Sequence, residues 1–175
     1  MRISQGLSKR KLSAPSAETM ILFCVGEFTF AIAANAVEEI RDLAGLQDFR
    51  FGRSHHKLEK VKHVFERQGR DYFVVDAATH FHLDKACTTR VMVLRDVPAA
   101  VSVDGIQGMQ DMHSIQALPT AFSGEEREWY RGLTLMKGKV VPVVRPEAFL
   151  NKAQATLLSA WLRTTRAERG VAVTA

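Results

Sequence analysis

The chain is poor in cysteine: 175 residues contain only Cys24 and Cys87, with no CxxC pair. That excludes a disulfide framework and a zinc-ribbon spacing. No apolar run approaches the roughly 20 residues that a membrane-spanning helix needs. The longest, 20–25 and 28–37, fall well short. Lys9-Arg10-Lys11 is followed by a small, polar stretch interrupted by Glu18, so no signal-peptide core follows it. The chain reads as cytoplasmic. Phosphate-loop, GxSxG, HExxH and dinucleotide signatures are missing.

What is present is ordinary globular material, 46% apolar and 25% charged, with a net charge of +5. Disorder and coiled coil are excluded on composition, and the length suits one domain with a real core. The positive charge is concentrated. Residues 1–11 hold four basic groups and no acid, 50–70 seven and two, and 152–169 four and one. The remainder is acidic. A basic chain suggests nucleic acid or an anionic membrane, but this one has an acidic body with basic attachments.

Polar residues 1–19 read as a flexible basic tail. Residues 20–25 and 28–33 read as strands around the Gly26-Glu27 turn. Val37, Ile40 and Leu43 recur at helical spacing within 36–43, which predicts a short amphipathic helix or turn. Residues 45–61 read as a basic surface loop. Strands follow at 61–66 and 70–76 around Gln68-Gly69, then a helical turn over 77–83. Further strands are expected at 88–95, at 98–103 running on into 106–112, and at 114–118. A helical turn at 125–128 leads to a second clear hairpin, 130–136 and 139–144, around Lys137-Gly138. Pro146 opens a helical turn, and 154–169 forms a C-terminal helix. About nine or ten short strands at this spacing predict a barrel or sandwich. Gln68-Gly69-Arg70 and Val74-Val75 echo Lys137-Gly138-Lys139 and Val143-Val144; two similar barrels or simply two hairpins account for the echo.

Little in the chain points to catalysis. His55, His56, His63, His80 and His82 lie near one another in sequence, but no carboxylate completes a metal signature, and they read as solvated surface groups. Glu38-Glu39 and Glu125-Glu126 are adjacent, as on solvated faces. Asp76 and Asp104 read as turn-bonding residues, and Gly105-x-x-Gly108 as a bulge or bend in a strand. No nucleophile has a base beside it. The residues favour a protein that binds other proteins, without cofactor or metal. A small-barrel nucleic-acid-binding protein using 50–70 is the alternative, weakened because only Phe51 and Phe65 interleave with the basic residues there.

Several spaced motifs resemble the CheW family of chemotaxis coupling proteins. Leu22-Phe23, Val25-Gly26 and Phe30-Ala31-Ile32 are similar to its opening hairpin, and Val37-x-Glu39-Ile40 to its V-x-E-I segment. Gln68-Gly69-x-x-x-Phe73-Val74-Val75-Asp76 stands where the family has R-G-x-x-x-P-V-x-D. Val101-x-Val103-Asp104-Gly105-Ile106, Ile115-x-x-Leu118-Pro119 and Tyr130-x-Gly132-Leu133 with Gly138-Lys139-Val140-Val141 follow in family order. The resemblance spans 20–150, leaving 1–19 as a tail and 151–175 as a C-terminal helix and tail. It implies a mainly β fold: two small SH3-like five-stranded barrels packed together, with short helices between.

The function implied is a non-enzymatic adaptor joining chemoreceptors to a CheA-type histidine kinase, in chemotaxis or a related motility or pilus pathway. Its partners would be the kinase regulatory domain, the receptor's cytoplasmic tip and other CheW-like domains. Val37, Glu39, Ile40, Arg67, Gln68 and Met109 are the expected receptor-binding residues. Leu43, Phe51, Val64 and Phe65 are the expected kinase-binding residues. The family's Asn-Leu-Arg-Gly turn is replaced here by Glu66-Arg67-Gln68-Gly69, so its arginine falls on Gln68. Arg67 is expected to point to the opposite face.

Overall fold

The computed structural model describes residues 17–46, 49–50, 58–84 and 87–172. The expected tail lies outside them up to residue 16, as does most of the basic loop. Eleven strands are described: β1 (Glu18–Val25), β2 (Phe28–Ala33), β3 (Val37–Asp42), β4 (Phe49–Arg50), β5 (Val61–Arg67), β6 (Arg70–Asp76), β7 (Arg90–Leu94), β8 (Ala99–Val103), β9 (Gly105–Met112), β10 (Tyr130–Met136) and β11 (Lys139–Val144). Helical pieces are α1 (Ala77–His80), α2 (Glu126–Trp129), α3 (Pro146–Phe149) and the long α4 (Lys152–Ala172).

The strands form two sheets, ordered β10-β11-β2-β1-β9 and β3-β7-β8-β6-β5-β4. Apart from the two-residue β4, the sheets have the same plan. In the first, a hairpin (β10, β11) meets β2 in parallel, then β1 and β9 follow antiparallel. In the second, a hairpin (β5, β6) meets β8 in parallel, then β7 and β3 follow antiparallel. The echo between 68–75 and 137–144 is therefore an internal repeat. The copies exchange parts. The leading hairpin of the first copy, β1–β2, joins β9, β10 and β11 of the second, and β7–β8 joins β3, β5 and β6. Both hairpin turns, Gln68-Gly69 and Lys137-Gly138, have positive φ at both residues, the conformation of a two-residue primed turn.

The first sheet curls until an isolated bridge joins Gln116 to Leu133, with paired N–H···O contacts of 2.8 Å. The expected strand at 114–118 is reduced to that bridge. No ladder closes the second sheet among the described residues. The mainly β fold with two packed sheets agrees with the expectation, and the barrels are curled rather than fully closed.

Side-chain alternation explains the continuous apolar runs. In β1, Met20 and Leu22 fill the inside of the first sheet, while Ile21, Phe23 and Val25 face the layer between the sheets. In β7, Val91 and Val93 face the inside of the second sheet, and Met92 and Leu94 face the shared layer. Strands buried on both sides have no polar face to show. The shared layer includes the fully buried Phe23, Phe73 and Phe149, each contributing on the order of 2–3 kcal/mol by removal from water. Leu158 and Leu162 bring α4 into the same layer. Its Arg166 makes two bonds to Asp71, of 2.8 and 3.0 Å, at the β5–β6 tip.

Residues 36–43 depart from expectation: Val37–Asp42 form an edge strand, with Ala36 and Leu43 in single 3-10 turns on either side. A bulge interrupts the pairing between Val37 and Glu39, so Val37 opposes Leu94 while Ile40 opposes Met92. The extra residue puts positions three apart on one face, which imitates a helical period. A register shift does the same in β9, where Ile106 opposes Phe23 and Met109 opposes Ile21. Gly108 sits at the bend with φ of 140°.

Candidate functional site

β3 is the edge of the second sheet, and the β5–β6 turn lies towards the sheet's other side. Arg67, the last residue of β5, spans the opening between them. Its Nη1 donates to Glu38 Oε1, and its Nη2 lies 3.0 Å from Glu39 Oε2. Arg41 Nε approaches the other oxygen of Glu39 at 3.4 Å. The bulge allows the two neighbouring glutamates to meet one guanidinium. The hydrogen bond from Arg67 holds the Glu38 carboxyl below its ordinary range. Side chains thus tie the barrel where the backbone ladder is open. Beside this tie, Gln68 is exposed at φ 50°, and Arg70 stacks its guanidinium over Tyr72 at 5.9 Å.

Ile40, 40% exposed, stands on the same edge strand and faces the shared layer. Met109, 65% exposed, has the equivalent position on β9 of the other sheet. The two residues are therefore repeat-related apolar groups, one on each sheet edge. Glu39 and Arg67 meet between the β3 edge and the β5–β6 turn, Gln68 follows Arg67 in that turn, and Ile40 stands on the other face of β3. Met109 lines a separate cleft against β2 and β11.

Three expected contact residues are not surface groups. Val37, Val64 and Phe65 are 8%, 2% and 7% exposed. Val37 and Val64 belong to the shared layer, and Phe65 stacks on Tyr72 inside the second sheet at 5.5 Å. They offer a partner almost no area. Leu43 is half-buried against the same inner cluster. Phe51 lies outside the described residues.

The histidines also need correction. His80 is buried, not solvated, with ring centroids of Phe81, Trp129 and Phe149 4.9–5.2 Å away. Its Nδ1 lies 3.3 Å from Lys60 Nζ, so Nδ1 accepts and the ring is neutral. Burial, reinforced by the charge of Lys60, pushes its pKa down to about 3. His82 is exposed and 3.3 Å from Glu125. Among the described residues no group of three potential ligands could hold a metal ion. Asp76 caps α1, accepting from the Thr79 N–H at 2.8 Å, and Asp104 accepts from Gly26 N–H at 2.7 Å. No described helix is long and apolar enough to cross a membrane.

The sequence reading missed the exposed apolar side chains Phe28, Leu135 and Val140, which are 49%, 70% and 58% exposed. Their only sequence signal was a position at the ends of hairpin strands, where one face runs past the core.

Residues 19–154 match the family of CheW-like domains. The structure is similar to the crystal structure of the scaffolding protein TtCheW from Thermoanaerobacter tengcongensis, with a TM-score of 0.64 at 14% identity, covering 78% of this chain and 95% of that one. No curated protein sequence matches. With most of its length inside that family match and its fold shared with a member, the chain belongs to the CheW-like domain family.

Proposed function

We propose that the protein is a non-enzymatic adaptor of a chemosensory array, joining the regulatory domain of a CheA-type histidine kinase to the cytoplasmic tip of a chemoreceptor in the cytoplasm. The observation that carries this reading is the family match across both sheets. Receptor contact is assigned to the exposed surface of Glu39, Ile40, Arg67 and Gln68, with Met109 as its repeat-related counterpart. A receptor tip, an antiparallel helical hairpin, would set an apolar residue against Ile40. Kinase contact is assigned around Leu43 and the segment that follows it. The basic side chains Arg67 and Arg166 are paired with carboxylates, which leaves them less available to phosphates than a nucleic-acid interface requires.

Titration calorimetry with the purified kinase regulatory domain and a receptor-tip fragment from the same source tests the proposal. Binding of both, separately and together, is expected. Failure to bind either, with salt-sensitive binding of an oligonucleotide instead, would replace it with the nucleic-acid reading.

A further inference from the structure

The two sheets share a plan, but they differ where the hairpin meets its parallel neighbour. In the second, β6 and β8 pair in parallel at four successive positions, Phe73–Asp76 against Ala99–Ser102. The equivalent strands of the first, β11 and β2, pair only at Val143 and Ala31. Pro142, next to that pairing, has no N–H to give a ladder. Upstream of it, residues 28–30 and 139–141 line a cleft of about 760 Å³. Phe28 and Val140 are among its walls and are two of the three exposed apolar side chains noted above. Lys137 and Lys139 also line it, against Glu27 as the single lining carboxylate.

We propose that this cleft docks an extended, acidic segment of a partner protein, with an apolar side chain seated between Phe28 and Val140. Three features select that occupant. Two adjacent strands joined by a single ladder pairing suit an extended chain, which can bond to an edge the ladder does not use. Large apolar groups exposed together mark a surface that is covered in use. The two lysines outnumber the one carboxylate, so they favour a negative partner and disfavour a basic one. The inference does not rest on the receptor or kinase contacts proposed above; of those residues only Met109 lines this cleft, and Glu39, Ile40, Arg67 and Gln68 are distinct from it.

The test is selection of random short peptides, displayed on phage, against the full-length protein. Selected peptides are then made synthetically, and their binding is followed by fluorescence anisotropy and by amide shifts in NMR spectra. Peptides alternating acidic and apolar residues are expected, with shifts concentrated at residues 28–30 and 139–141. The double variant Lys137→Glu/Lys139→Glu should weaken binding about tenfold or more, and added salt should weaken it as well. Val140→Ser should weaken it without changing the circular dichroism spectrum, which separates loss of the site from loss of the fold. Selection of no peptide, peptides without acidic bias, shifts elsewhere on the protein, or equal binding by the charge-reversed variant would each overturn the proposal.

Discussion

Arg67 and Glu39 lie 3.0 Å apart across the open side of the second sheet, Nη2 to Oε2, while the same guanidinium bonds Glu38. One side chain does there what the Gln116–Leu133 bridge does in the first sheet. Arg67→Glu sets three carboxylates against one another and should free the β3 edge. Hydrogen exchange should accelerate over Val37–Asp42 and stay slow over Ala99–Val103. Uniform protection in the variant would show that the tie does not hold the edge.

The tie also has a pH signature. Glu38 is held below its ordinary value near 4.5 by Arg67. A lowered carboxyl pKa gives stability that is present above that value and lost as pH falls through the folded-state pKa. β3 exchange protection, measured relative to β8, should therefore be flat near neutrality and drop on acidification below about pH 4.5. Arg67→Glu should remove that relative drop.

His80 contributes with a wider window. Its pKa moves from an ordinary 6.5 to about 3 in the fold. Between those values the unfolded chain binds a proton that the folded chain does not. Stability contributed by His80 should thus be complete above pH 6.5 and fall on acidification, by up to about 1.4 kcal/mol per pH unit. Urea midpoints from pH 7 to 4 for the wild type and His80→Phe measure the difference. Parallel curves would mean that His80 is not the group responsible.

The anchoring of α4 divides into a large and a small part. Leu162, 1% exposed in the shared layer, should cost about 2–5 kcal/mol as Leu162→Ala. The Arg166–Asp71 pair is at the surface, so Arg166→Ala should cost no more than about 1 kcal/mol. Urea unfolding ranks the two. The reverse order would make the ion pair, not the apolar face, the anchor.

Exchange of hairpins between the repeats predicts that neither sheet unfolds alone. Trp129 fluorescence, Trp161 fluorescence and far-ultraviolet circular dichroism should report one coincident thermal transition, each tryptophan being read in a variant lacking the other. Two separated transitions would show that the sheets are independent units.

Much of the local structure was legible in the chain. The two Gly-containing primed turns, the Pro146 helix start and the apolar runs of 20–25 and 91–94 marked elements because backbone preference and burial act over a few residues. The repeat was visible as an echo at Gln68-Gly69 and Lys137-Gly138. β3 was misread because its bulge gives Val37 and Ile40 the spacing of a helix, and a bulge is decided by the partner strand. Of the expected contact residues, Ile40, Gln68 and Met109 are exposed. Val37, Val64 and Phe65 were indistinguishable from surface residues because apolar identity does not say which face is covered.

The sequence by itself determined that this is a mainly β chain, since short-range turn chemistry and alternation specify strands, and its spaced motifs carried the resemblance to the CheW family. Only the tertiary structure decided that the repeats exchange hairpins, that Arg67 meets two glutamates, that His80 is buried beside Lys60, and that β2 and β11 share one ladder pairing beside a cleft. Those facts depend on contacts between residues far apart in the chain, whose energies arise when the sheets pack and not from any local preference.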